Sequence, residues 1–295
     1  MAKGVANRVL AVGMQKGGVA KTTNACHLAA ALGERGNRVL LWDIDENHGA
    51  TKVFGIPSEG FWTTMSILTG DATVEDSILA FDDDELDVEL PENVDFIPCS
   101  RHLEAVDTAL SAQDRFYNPN DALKPHIATL KELERYQYII LDTGPTASTT
   151  TRAAYMVADY FVLSLTPEKQ AVESLPAALD DIANARRPDR NPRLHLLGLI
   201  LSCMDRRRTL AKRYEEAIAK QFKLADQMPV KFATTIASAA AIEKAFHANR
   251  TLLQHESSHR VSAQYRELAE ELEARVAAHE QELGAPEPTG EAVHG

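Results

Sequence analysis

The sequence predicts an α/β protein, a doubly wound and mostly parallel sheet with helices on both faces. Three observations carry this expectation. Short apolar runs recur along the chain, and they are continuous rather than alternating, as parallel strands covered on both faces require. Segments of helical length separate those runs. No apolar run reaches the roughly 18 residues of a membrane span, while 295 residues at 44% hydrophobic content suffice for a large core.

The elements follow in order. Residues 8–12 read as the first strand, 21–35 as a helix ended by Gly36-Asn37, and 38–43 as the second strand. Further buried strands are expected at 94–98, 136–142, 159–165 and 194–201. A basic helix is expected to begin at Asp205, and an acidic one to cover 257–283. With no internal repeat and no Pro-rich linker, residues 1–283 read as one domain, and the Gly/Pro-containing 284–295 as a disordered tail.

Charge and cysteine usage narrow the function classes. Lys and Arg number 31 against 43 Asp and Glu, a net of −12, which argues against a protein that coats nucleic acid over its whole surface. The charge is unevenly spread. Residues 71–95 hold eleven acids and no Lys or Arg, whereas 186–231 hold twelve Lys/Arg against five acids, a local net of +7. Cys26, Cys99 and Cys203 are odd in number, far apart and form no Cys-x-x-Cys pair, which predicts a reducing, cytoplasmic setting without a disulfide framework. No leader pattern is expected ahead of the first apolar run.

The segment Gln15-Lys16-Gly17-Gly18-Val19-Ala20-Lys21-Thr22-Thr23 follows the first strand and opens the first helix. That context suits a phosphate-binding loop. Small residues let backbone N–H groups turn in on an anion, and the helix N-terminus adds the positive end of its dipole. Lys21 is placed to reach the β/γ-phosphates and the Thr22 hydroxyl to ligate Mg²⁺. Gln15 and Ala20 stand where the generic Gly-x₄-Gly-Lys-[Ser/Thr] pattern has glycines. Ala20 is compatible with the loop if its φ is negative.

Two acids close the second strand region, Asp43 and Asp45, at i and i+2 and so on one side of an extended chain. Asp142 closes the apolar run Tyr138-Ile-Ile-Leu. An acid in that position is either a simple turn cap or a Walker B aspartate that holds Mg²⁺ through water, and the upstream loop favours the second. His48, in the loop after Asp45, reads as a solvated histidine.

The string Lys-Gly-Gly-Val-x-Lys-Thr-Thr resembles the deviant Walker A loop of the ParA/MinD family of ATPases, and its preceding Gln is common among ParA/Soj partition proteins. The resemblance runs along nearly the whole chain, through Ile97-Pro98-Cys99-Ser100, Asp142-Thr143-Gly144-Pro145, 159–173, 199–210 and 228–253. It implies that Lys16 is the signature lysine, reaching the phosphates of the other subunit in a nucleotide-sandwich homodimer. It further implies that Asp45 positions or activates the attacking water and that Asp43 holds a Mg²⁺-bound water. Here Glu46-Asn47-His48-Gly49 replaces the family's Pro-Gln-Gly-Asn. By position, Ser202, Met204 and Pro229 line the adenine pocket. Cofactors are then ATP and Mg²⁺.

Within the family, the acids of the C-terminal helix (Glu267, Glu270, Glu271, Glu273, Glu280, Glu282) oppose binding to anionic lipid, so no membrane attachment is expected. Paired cysteines of cluster-carrying relatives are missing, and with the loop so near the first residue operator binding by a preceding domain is not expected. The basic run suggests sequence-independent phosphate contacts from Arg206, Arg207, Arg208, Lys212 and Arg213, with Lys231 and Arg250. A solvated helix face paired with Glu215 and Glu216 is the plainer alternative. The resemblance favours a partition ATPase that dimerises on ATP, binds nonspecific double-stranded DNA on the nucleoid and answers to a ParB-like partner. The alternative is an adaptor ATPase that positions a protein cargo.

Overall fold

The computed structural model describes residues 7–57, 59–113, 118–205, 207–223 and 230–284. Seven strands and twelve α-helices alternate among them: β1 (Arg8–Gly13), α1 (Lys21–Glu34), β2 (Val39–Asp43), α2 (Gly49–Val53), α3 (Thr64–Thr69), β3 (Val94–Ile97), α4 (Val106–Gln113), α5 (Lys124–Glu132), β4 (Tyr138–Asp142), α6 (Thr149–Val157), β5 (Tyr160–Leu165), α7 (Lys169–Glu173), α8 (Leu175–Ala185), β6 (His195–Met204), α9 (Thr209–Gln221), β7 (Lys231–Ala237), α10 (Ala240–His247), α11 (Leu252–His255) and α12 (Arg260–Gly284). The strands form a single sheet in the order β3-β2-β4-β1-β5-β6-β7, every pair parallel. All six strands expected from the apolar runs are present.

Continuous apolar runs are buried on both faces. One cluster packs Val9, Trp42, Leu141, Phe161 and Leu201 against helices on one side. The other packs Leu10, Leu41, Ile140, Val162 and Phe232 against α1 and α12. Successive residues of one strand feed opposite clusters, as the pleat demands.

Both sheet edges are covered. At the β3 edge, Leu79 makes an antiparallel bridge to Phe96, so the acidic segment 71–95 lies along that edge. At the β7 edge, Glu271 of α12 accepts from the amides of Ala233 and Thr234, at 2.7 and 3.0 Å. Arg275 donates to the carbonyls of Leu197 and Lys231 at 3.0 and 3.1 Å. Satisfied edge groups remove the template for pairing with another chain. The acids of α12 therefore have structural partners: Glu273 pairs with Arg35 and Glu280 with Arg8.

Several expected boundaries shift. The helix expected to begin at Asp205 begins at Thr209. The Asp205 carboxylate accepts from the Arg207 amide at 3.1 Å, a local turn that competes with helix. β6 runs on to Met204, through Cys203 at φ 57°. The C-terminal helix starts at Arg260 and includes Gly284; residues 285–295, expected as a tail, lie outside the described residues.

Asp95, fully buried in β3, anchors the acidic segment. Its carboxylate accepts from Arg38 at 3.1 Å, Tyr136 Oη at 2.7 Å and the Phe81 amide at 3.1 Å, and it pairs with Arg135 at 2.7 Å. Replacing Asp95 by Ala leaves the Tyr136 hydroxyl and two arginines without their acceptor. Because both arginines are partly hydrated, the expected loss is about 2–3 kcal/mol of unfolding free energy. Urea titration of Asp95→Ala against the parent protein measures it, and an unchanged midpoint would show that the anchor carries no weight.

Candidate active site

The strand register brings the candidate residues to one level. Val12 and Asp43 both stand opposite Asp142, so β1, β2 and β4 end side by side at the carboxyl edge of the sheet. Loops at that edge form the crevice where open α/β sheets bind ligands.

The loop from Met14 to Ala20 connects β1 to α1. It turns at once, the Lys16 amide donating to the Met14 carbonyl at 2.7 Å. Gly18 and Ala20 both lie in the left-handed region, at φ 73° and 64°. For Ala20 this corrects the expectation of a negative φ: the methyl group is carried in a backbone conformation that favours glycine. α1 begins with no side-chain cap and no acid in its first turn, so its leading N–H groups remain available to an anion. The Lys21 ammonium, nearly buried, folds back onto the Lys16 carbonyl at 2.9 Å. Burial lowers its pKa, and the charges of Asp142 and Asp45 oppose that shift.

The acids are held differently. Asp43 is fully buried, and one of its oxygens accepts from the amide and hydroxyl of Thr51 at 2.9 and 2.7 Å. Asp45 accepts from the amide and side chain of Asn47, both at 2.9 Å, through Oδ1 alone. Asp142 is fully buried; neither oxygen makes a hydrogen bond of ordinary geometry, and the Thr22 hydroxyl and the Lys21 charge only partly offset its burial. Burial pushes the Asp142 carboxyl well up, and the charge of Asp43 adds to the shift; burial likewise raises Asp43. Gly49 approaches this group closely: a Cβ there would lie 2.8 Å from Thr22 Oγ1. His48 is half-buried, takes φ 44° and lies 3.3 Å from the Glu46 carbonyl through Nδ1.

Two buried groups of opposite charge thus lack an ordinary hydrogen-bond partner, the Asp142 carboxylate and the Lys16 ammonium. Buried charges are costly unless paired. The first fits a cation and the second an anion. Among the described residues, no three His, Cys, Asp or Glu side chains are gathered closely enough to cage a metal. Thr22, Asp43 and Asp142 suit a hard ion that keeps waters and shares phosphate oxygens.

Asn24, on α1, joins the loop to the rest of the crevice. Its Nδ2 donates to Ser164 Oγ at 2.8 Å, and Ser164 donates to the Val19 carbonyl at 2.5 Å. Its Oδ1 accepts from Ser202 Oγ at 3.0 Å and Tyr265 Oη at 2.9 Å. Sequence reasoning missed this hub; its one signal was a lone amide beside the apolar Ala25-Cys-His-Leu run. His27, a turn further on, is buried and neutral, pushed down to about 4 by burial, with Nε2 accepting from the Leu252 amide at 3.0 Å.

A cavity of about 440 Å³ adjoins the loop, lined by Ala20, Thr23, Ser202, Cys203, Phe246 and Tyr265 among others. Of the three expected adenine contacts only Ser202 lines it. Met204 faces a different cavity, because the irregular β6–β7 register turns it away, and Pro229 lies outside the described residues. Gln15 points out of the crevice, donating to Asp181 on α8 at 2.8 Å.

A family model described as an AAA domain matches residues 7–196. The chromosome partitioning protein ParA of Caulobacter vibrioides is 33% identical over 217 residues, covering 73% of this chain and 76% of that protein. The chromosome-partitioning ATPase Soj of Thermus thermophilus is 31% identical, covering 91% and 96%. The chain belongs to the ParA/MinD family. A cobyrinic acid a,c-diamide synthase from Mycobacterium smegmatis, solved with ADP and magnesium, shares the fold at TM-score 0.72 and 24% identity, over 96% of this chain and 98% of that one.

As in any ParA/MinD member, loop and acids sit within the P-loop ATPase fold; the basic residues need separate treatment. Arg207 and Arg208 are exposed on the β6–α9 turn and Lys212 and Arg213 near the start of α9, while Arg206 lies outside the described residues. Arg207 pairs with Asp205, whereas Arg208, Lys212 and Arg213 pair with no acid among the described residues. The plainer expectation of pairing to Glu215 fails, since Glu215 pairs with Lys231 at 3.4 Å. Two of the expected DNA contacts are engaged within the chain. Lys231 is nearly buried and donates to the Phe232 carbonyl at 2.7 Å, because it opens β7 beneath α12. Arg250 is engaged by Glu89 of the acidic segment.

Ala20 supplies a direct test of the loop. Ala20→Gly removes a methyl group from the left-handed region and should stabilise the fold by about 0.5–1 kcal/mol, a rise in Tm of about 1–3 °C by calorimetry. A lower Tm would contradict the assigned backbone.

Proposed function

We propose that this chain is a partition ATPase whose ATP·Mg²⁺-dependent homodimer binds double-stranded DNA nonspecifically, and whose weak hydrolysis is stimulated by DNA and a ParB-like partner. The observation that carries the reading is the pair of buried charges without an ordinary hydrogen-bond partner, the Lys16 ammonium and the Asp142 carboxylate, together with an uncapped helix N-terminus. An anion and a cation together complete both.

The roles follow from chemistry and position. Lys16 to Thr23 surround the phosphates, with Gly17, Gly18, Val19 and Ala20 supplying backbone N–H groups. Lys21 neutralises charge on the transferred phosphoryl group. Thr22, Asp43 and Asp142 hold Mg²⁺, which when bound offsets charge on the phosphate oxygens. Phosphoryl transfer depends mainly on positioning and electrostatics. Asp45 has Oδ1 occupied by Asn47, which leaves Oδ2 to accept from and orient the attacking water. Lys16 extends to the phosphates held by a second copy. The base occupies the cavity beside Ser202.

Exposed cations at Arg207, Arg208, Lys212 and Arg213 support salt-sensitive contact with DNA phosphates. Similarity to ParA and Soj supports a segregation role with a ParB-like partner and a cytoplasmic, nucleoid-associated location. No described helix is long and apolar enough to cross a membrane.

Lys16→Ala is expected to abolish ATP-dependent dimerisation in multi-angle light scattering; a dimer persisting at parental affinity would remove Lys16 from the interface. Asp45→Ala should retain ATP binding and lose at least tenfold in turnover, read by phosphate release. Equal turnover would exclude Asp45 from water activation.

A further inference from the structure

A second cavity, of about 280 Å³, opens where the ends of β6 and β7 meet the start of α12. Its polar lining comprises Asp205, Arg207, Thr235, Ser238, Arg260 and Gln264. The cavity is separate from the one beside the loop, but Ala237 and Ser238 line both and form the wall between them.

Two guanidinium groups from different elements reach this space. Arg207, from the β6–α9 turn, donates to both Asp205 oxygens at 3.0 and 3.3 Å and still has a side chain 91% exposed. Arg260 is the first residue of α12 and pairs with no acid among the described residues. One carboxylate against two guanidiniums leaves one positive charge in excess. A cation at a helix start is opposed by the helix dipole, so Arg260 does not serve α12. Gln264 accepts from the Ala237 amide through Oε1 at 2.9 Å, which leaves its NH₂ group to donate, and Ser238 adds an exposed hydroxyl. Arg, Gln and Ser donors are those that contact DNA backbone oxygens. The volume lies at the lower end of small-ligand sites and has room for a phosphate group.

We propose that this cavity seats a backbone phosphate of double-stranded DNA, with Arg260 and Arg207 as its ligands. The proposal rests on the reading of this chain as a DNA-binding ATPase. It makes the exposed Arg208, Lys212 and Arg213 the continuation of one phosphate-contacting row that starts in a built pocket, and it gives Arg260 the part that the sequence had assigned to Lys231 and Arg250.

The test measures anisotropy of a labelled random-sequence duplex against the full chain with a nonhydrolysable ATP analogue, at several salt concentrations. Arg260→Ala should weaken binding about 3- to 10-fold and reduce the log–log salt slope by about 0.9, while Arg260→Lys restores the slope. Thermal unfolding within about 2 °C of the parent shows that the variants fold. Unchanged affinity and slope in Arg260→Ala, with loss of binding in Arg208→Glu, overturns the pocket and leaves the DNA reading intact. No effect from either variant, or no duplex binding by the parent protein, overturns both.

Discussion

Two buried carboxylates at the ends of adjacent parallel strands set the terms for the rest of the molecule. Asp43 and Asp142 are directly opposite in the β2·β4 ladder, both without solvent. Register in a sheet buried on both faces cannot slip without turning apolar side chains the wrong way. The closeness of the two acids is therefore built in by the backbone, and a proton or a cation is what relieves their repulsion. The neighbouring loops moderate it unequally. Thr51 takes up Asp43 with two hydrogen bonds, while Asp142 has none of ordinary geometry. Such an arrangement is poor as a stabilising device and good as a receptacle for a cation. Lys21, bent onto the carbonyl of Lys16, and the uncapped start of α1 supply the opposite polarity a few residues away.

The C-terminal helix completes this site from a distance. Glu271 and Arg275 fasten it to the β7 edge, and Tyr265 reaches through the core to Asn24. Asn24 in turn touches the strands carrying Ser164 and Ser202. A buried polar network of this kind is stable only when every member is satisfied, so loop, sheet and α12 are held as one arrangement. Half of the α12 acids, which in the sequence suggest repulsion from lipid, hold the helix in place: Glu271, Glu273 and Glu280 each have a named partner.

What could be read in advance was local. Continuous apolar runs, a Lys-Thr-Thr after a Gly-Gly turn and an acid at the end of a strand are signals within a few residues, and the fold and the core of the site followed from them. What could not be read depends on distant partners or on backbone angles. Ala20 has no residue-type signature for a positive φ. Lys231 and Arg250 look like free cations until Glu215 and Glu89 come beside them. The start of α9 moved because the side chain of Asp205 closes a turn on Arg207. The Asn24 hub joins residues 140, 178 and 241 positions away along the chain.

The strand order also decides how a chain of net charge −12 presents itself to its surroundings. The acid-rich segment lies along β3, and the exposed arginines follow β6, next to the opposite edge. Five inter-strand steps of about 4.8 Å separate β3 from β6 by roughly 24 Å, some three screening lengths at physiological salt. The acids along β3 and the exposed arginines after β6 are therefore screened from one another rather than averaged into a uniform anion. An anion close to the β6–α9 connection meets the exposed arginines there without feeling the distant acids of the β3 edge.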